Sequence, residues 1–125
     1  MSVRIITDSG SDILPGEHEG LVVLPLSIMF GTTTYADGVD LSHDRFYELL
    51  VEEDDLPKTG QVNPYAFSQA FEEAYAAGDE VVCITLSSKL SGTYQSALTA
   101  ASEAKVVVRV VDSLNVCVGE RVLVE

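Results

Sequence analysis

The sequence has no tryptophan, two cysteines, four prolines and only seven basic residues, and each shortage excludes something. Two cysteines in a 125-residue chain that is 46% hydrophobic are not the dense disulfide framework with which small secreted domains replace a core. Cys83 and Cys117 both lie in apolar runs, so reduced, buried thiols are expected. Seven lysines and arginines against twenty aspartates and glutamates leave a formal charge of −13. Such a charge repels nucleic acid and anionic lipid surfaces, and both partner classes are set aside. The acids are scattered rather than blocked, as on a solvated surface. No stretch approaches the ~20 uninterrupted apolar residues of a membrane-spanning helix, and the opening MSVRIITDSG lacks the layout of a secretion signal. A cytoplasmic location is the expectation. Mechanistic motifs are missing too: there is no P-loop, no G-x-G-x-x-G, no G-x-S-x-G elbow and no D-x-D or H-x-H pair. Neither a resident cofactor nor a metal is expected.

What is present suits one α/β domain over residues 1–125. Residues 3–7, 81–86 and 106–111 are nearly continuous β-branched and apolar runs, the pattern of strands covered on both faces in a parallel sheet. Residues 21–30 form a further strand-like run, whose Pro25 demands an edge position or a bulge. Gly31 and the Asp37-Gly38 pair bracket a short strand within 31–36. Helical spacing fills the gaps. Phe46, Leu49 and Leu50 follow Ser42 as N-cap, and Phe67, Ala70, Phe71 and Ala74 lie between an Asn63-Pro64 start and a Gly78 stop. Leu90, Tyr94, Ala97, Leu98 and Ala101 make a third stripe. Asp112-Ser113 is expected to cap a last helix of about three turns ending at Glu125. Residues 54–62 read as an irregular polar loop. Strand, helix, strand in this order gives right-handed crossovers, and so a parallel-sheet, three-layer α/β/α domain.

Each strong strand runs into a small polar cluster: Thr7-Asp8-Ser9-Gly10-Ser11, then Ser87 to Thr93, then Asp112-Ser113. Parallel strands place all of these on one carboxyl edge, where open α/β sheets bind their ligands. The second cluster precedes a helix, whose free amides and dipole favour an anion. Ser91 and Thr93 add hydroxyls there, and Gly92 lets a ligand approach the main chain. Capping alone explains any one cluster; their coincidence on one edge argues for a site that also takes in Ser9. The segment from Lys58 to Asn63 brings Thr59, Gln61 and Asn63 over the same edge, although Asn63 is equally an ordinary helix cap. Asp8 and Asp112 raise an alternative, an enzyme acting on a small phosphorylated or carbonyl substrate with one of them as base. A third reading is a fragment that self-associates through an exposed core face. His18 and His43 sit in polar segments and are expected to be exposed.

Ile6-Thr7-Asp8-Ser9, the stretch from Tyr35 to Asp40 with Phe46-Tyr47 following, the run from Ser87 to Ala97, and Val111-Asp112-Ser113 together resemble the N-terminal half of the DegV family. The resemblance covers essentially the whole chain. It implies a fatty-acid-binding protein rather than an enzyme, and some members present the bound acyl chain to a partner kinase that phosphorylates its carboxylate. Carried onto this sequence, it implies that Thr59 and Ser91 hold the carboxylate, with Gly92 and Thr93 beside them and the tail in the apolar interior. Neutral donors at a helix N-terminus suit a lipid head that must be partly desolvated. The chain departs from the family pattern at Gly60 and Val62, which replace a serine and a proline, and at Cys117 and Arg121, which replace a serine and a glycine. Nothing in it corresponds to the family's second lobe. An isolated lobe would expose a half-tunnel, which invites homodimerisation or weakens lipid affinity.

Overall fold

In a computed structural model of the chain, the described residues are 3–14, 16–18, 20–52 and 56–124. The chain runs through β1 (Val3–Asp8), a 3-10 turn (Ser9–Ser11), β2 (Leu21–Leu24), β3 (Ser27–Phe30), β4 (Thr33–Ala36), α1 (His43–Glu52) and β5 (Lys58–Gly60). It continues through α2 (Pro64–Ala77), β6 (Glu80–Thr85), α3 (Thr93–Glu103), β7 (Val108–Asp112) and α4 (Val118–Val124).

Four strands form a parallel sheet in the order β2-β1-β6-β7. The period of two along each strand sorts its side chains onto two faces. Ile6, Val81 and Cys83 pack with Phe67, Phe71, Ala74 and Ala97 of α2 and α3. Ile5, Val23, Val82 and Ile84 turn the other way, to Ile13 and to Val124 of α4. The expected α/β/α layering is therefore present, and near-continuous hydrophobicity along β1 and β6 follows from cover on both sides. Phe67 and Phe71 are 0% and 1% exposed, and burying each stabilises the domain by about 1.5–3 kcal/mol. α2 is delimited as its sequence implies. Asn63 accepts from Ala66 N at 2.9 Å, Pro64 occupies the first turn, and Gly78 closes the helix at φ 77°.

Four elements depart from the sequence expectations. The run 21–30 is two strands in two sheets: β2 edges the parallel sheet, and beyond Pro25 the chain enters an antiparallel sheet of order β4-β3-β5. Within the expected loop of residues 54–62, of which 54 and 55 lie outside the described residues, Lys58–Gly60 is β5, which lies against β3 in register Ile28↔Thr59; its short polar sequence has no strand pattern of its own and borrows its conformation from β3. The last helix starts at Val118, not after Ser113. Asp112 Oδ1 accepts from Ser88 N at 3.1 Å and Leu114 N at 3.0 Å, Ser113 bonds with Asn115, and Leu114 and Cys117 take left-handed φ of 55° and 54°. Lastly, Leu90 stands 65% exposed before α3 rather than in its stripe, and α3 buries the expected Ala97 together with Thr93, Ser96 and Ala100.

Cys117, expected to be buried, is exposed in the turn before α4, whereas Cys83 lies in the core. His43 is exposed and His18 is half-buried. The strand expected at 106–111 runs from Val108 to Asp112. Among the described residues no helix is long and apolar enough to cross a membrane.

Candidate functional site

Parallel pairing of β1 with β6 and of β6 with β7 aligns their carboxyl ends, with Thr7 beside Ile84 and Thr85 beside Asp112. The polar clusters after these strands consequently meet and bond to one another. Asp8 Oδ2 accepts from Leu86 N at 2.8 Å, and Ser87 N donates to Asn115 O at 2.8 Å.

A cleft of about 260 Å³ opens at this edge, with Thr59, Gly60 and Gln61 on one side and Leu86, Ser91 and Gly92 on the other. Thr59 reaches it because β5 is pinned to β3. Ser91 and Gly92 reach it because α3 begins there, with Gly92, which has no side chain to make a cap bond, at the N-cap. Ser91 Oγ accepts from Thr93 N at 3.2 Å and shares a 3.0 Å bond with Thr93 Oγ1, which in turn accepts from Val62 N at 3.3 Å. Gln61 donates from Nε2 to Ser96 Oγ at 3.2 Å, and its carbonyl oxygen rests where a Cβ on Gly92 would project.

The candidate residues fall into three groups. Thr59, Gln61, Ser91 and Gly92 line one cleft, and Thr93 is buried directly behind Ser91. Ser9 is one step removed: it is buried, and its Oγ accepts at 2.9 Å from the backbone of Leu26, which itself lines the cleft. Asn63 is engaged in capping α2 and does not line the cleft.

Two other clefts are lined with acid. One of about 250 Å³, between α2 and α3, carries Glu72 and Glu103 against the cation Lys105; another of about 340 Å³ carries Asp12 and Asp37 with His43 and Tyr47. Carboxylates repel an anionic head group, so the hydroxyl-lined cleft is the one suited to an anion. Among the described residues no cluster of three or more His, Cys, Asp or Glu is arranged to hold a metal.

Asp8 and Asp112 both accept backbone amides that frame the carboxyl edge. Asp8 is fully buried with Leu86 N and Gly10 N on its two oxygens. Desolvation raises the carboxyl of Asp112, but hydrogen bonds from Ser88 and Leu114 outweigh it and hold the group below its usual range. The residue that sequence reasoning missed is Glu120. It is fully buried on α4, and burial first, then the charge of Asp8, pushes its carboxyl up to about 9. Its only sequence signal was an acid within the apolar run from Val116 to Val124, which resembles a solvated helix position.

The fold and the cleft thus define a three-layer α/β domain with hydroxyls and a helix N-terminus gathered at the carboxyl edge of its parallel sheet. A family profile described as uncharacterised protein, DegV family, matches residues 2–125. A DegV domain-containing protein of Caldanaerobacter subterraneus is 40% identical over 125 residues, covering 98% of this chain and 44% of the relative. Two solved structures superpose closely. A fatty-acid (stearic acid)-binding protein from Eubacterium ventriosum has a TM-score of 0.88 at 32% identity, and covers 98% of this chain and 45% of its own. A DegV family protein from Thermus thermophilus, described by its fatty acid binding, has a TM-score of 0.87 at 32% identity over 99% of this chain and 45% of its own. The chain belongs to the DegV family, and it spans less than half the length of these relatives.

Proposed function

We propose that the chain binds a long-chain fatty acid, with the carboxylate in the cleft between Thr59 and Ser91. The observation that carries this reading is the convergence of Thr59, Gly60, Gln61, Ser91 and Gly92 on one cleft whose remaining wall is leucine. When Thr93 donates the shared hydroxyl bond, Ser91 accepts from it and from Thr93 N, and its own proton is left for an incoming oxygen. The start of α3, where the N-cap Gly92 has no side chain, adds the amides beyond Thr93 N and the positive end of the helix dipole. Leu26, Leu86 and Leu90 flank the first methylenes of the tail.

At about 260 Å³ the cleft is smaller than the ~300–1,000 Å³ of pockets that enclose a whole drug-sized ligand. It takes the head and the start of the tail, and the remainder needs apolar cover from outside these residues. A second copy of the domain is proposed as one source of that cover. A head group held at an open edge is also placed for a partner kinase to reach.

Palmitate titration of delipidated protein by calorimetry tests the reading. Binding is expected in the wild type, falling about tenfold in Thr59→Ala and in Ser91→Ala, as loss of one bond to a charged group implies. Equal, negligible uptake by all three proteins overturns it. Sedimentation with and without palmitate reports whether a second copy joins.

A further inference from the structure

We propose that Asp8 is a positioning residue for the cleft: one proton shared between its carboxyl group and that of Glu120 docks α4 and, through the Leu86 amide, sets the cleft wall. The inference rests on the ligand site proposed above.

Two fully buried carboxyl groups meet where the end of β1 faces α4. Asp8 receives N–H donors on both oxygens, Leu86 N at 2.8 Å and Gly10 N at 2.9 Å, which marks it as the ionised member. Glu120 is served differently. Its Oε2 lies 2.9 Å from the Thr7 hydroxyl, which is also 2.8 Å from Ile84 O, one proton between two acceptors. Its Oε1 is buried and meets no donor among the described residues. Glu120 Oε1 and Asp8 Oδ1 flank the same point beside Gly10, so the two carboxyl groups interact directly, and a bond between two carboxyl groups requires that one of them carry the proton. Glu120 is that donor. The approach depends on Gly10, where a Cβ would stand 2.8 Å from Asp8 Oδ1 and 3.4 Å from Glu120 Oε1.

The surrounding groups favour the protonated form. Asp12, after the 3-10 turn, adds negative charge, and Cys83 on β6 is a buried, neutral thiol whose ionisation Asp8 and Glu120 both oppose. Cys117, before α4, faces Asp12. Arg121, the neighbour of Glu120, directs its guanidinium to Glu17 at 2.7 Å and to Asp12 O at 3.4 Å.

Asp8 is joined to the cleft through the main chain. Leu86, whose amide it holds, lines the cleft, and the adjacent Ser9 holds the amide of Leu26, which lines it as well. Ionising Glu120 leaves two like charges in a dry contact; α4 then withdraws, Asp8 turns toward water, and the Leu86 wall loses its anchor.

The test follows carboxyl carbon and backbone amide NMR signals of wild type and Glu120→Gln from pH 5 to 10, with palmitate affinity measured at pH 7 and 9.5. Glutamine keeps a donor toward Asp8 and an acceptor toward Thr7 but cannot ionise. In the wild type the Glu120 carboxyl is expected to stay protonated at pH 7 and titrate near about 9, with the Leu86 and Gly10 amides moving in step. In Glu120→Gln those amides stay still, and wild type loses roughly fourfold more palmitate affinity than the variant across that range, because about three quarters of the Glu120 carboxyl is ionised at the upper pH. A Glu120 carboxyl already ionised at pH 7, or amides that move equally in both proteins, overturns the shared proton. Equal affinity losses in the two proteins overturn its connection to the cleft. Amides that behave as expected in a protein that takes up no palmitate leave the shared proton standing and overturn the ligand reading.

Discussion

Gly92 has φ −79° and ψ 4°, an ordinary backbone that any residue adopts, so its side-chain-free position has another cause. The cause is the carbonyl oxygen of Gln61, which occupies the place a Cβ would take. Gly92→Ala is accordingly expected to swing the Gln61 amide away from Ser96. Stability should fall by about 1 kcal/mol, the worth of one hydrogen bond, and palmitate affinity several-fold because the displaced amide obstructs the head-group site. Paired calorimetric titration and denaturant melts check both numbers; unchanged affinity would remove Gln61 from the site. The cysteines provide a second check at this scale. Burial, then the charges of Asp8 and Glu120, pushes the Cys83 thiol far up, while Cys117 is exposed. A thiol-reactive disulfide reagent is therefore expected to titrate one thiol in the folded protein and both in denaturant.

Among the elements, α2 carries its own start and stop, and its boundaries were legible because Asn63, Pro64 and Gly78 act locally. β1 and β6 were legible because cover on two faces leaves an unbroken apolar run. β5 was not: Lys58, Thr59 and Gly60 are strand only because β3 lies beside them, a contact between segments about thirty residues apart that no short window contains. The start of α4 was hidden likewise, since Ser113 spends its hydroxyl on Asn115 instead of on a helix. The site divides along the same line. Ser91, Gly92 and Thr93 were visible as a polar cluster before a helix, whereas the proximity of Thr59 to them depends on β5. Asn63 is the residue whose two readings an element-level experiment separates. Asn63→Ala is expected to cost about 1 kcal/mol through loss of the cap bond to Ala66 and to leave palmitate affinity unchanged. Lost affinity at constant stability would return Asn63 to the ligand site.

For the whole molecule, net charge and buried charge give opposite responses to pH. Glu17 is held below its ordinary range by Arg121 and by the Leu14 amide, so its small contribution is present above that range and lost on acidification. Glu120 has the reverse sign. Its carboxyl is raised from 4.5 to about 9 in the folded state, so between those values the folded protein binds a proton that the unfolded chain releases. Stability from Glu120 is then complete below its unfolded value and is lost as pH rises through about 9. One proton sets the limit of the slope at about 1.4 kcal/mol per pH unit. Urea melts of wild type and Glu120→Gln at pH 6, 7, 8 and 9 check this directly. Wild type is expected to lose stability steadily across the series while Glu120→Gln changes far less, because the glutamine has no proton to release. The acidic background, with twenty acids in wild type and one fewer in Glu120→Gln, contributes nearly equally to both proteins and weakens with added salt, so repeating the series at high salt should lower the common trend and leave the difference between the two proteins intact. A difference that vanishes in salt would place the effect on the surface rather than at the buried contact between β1 and α4.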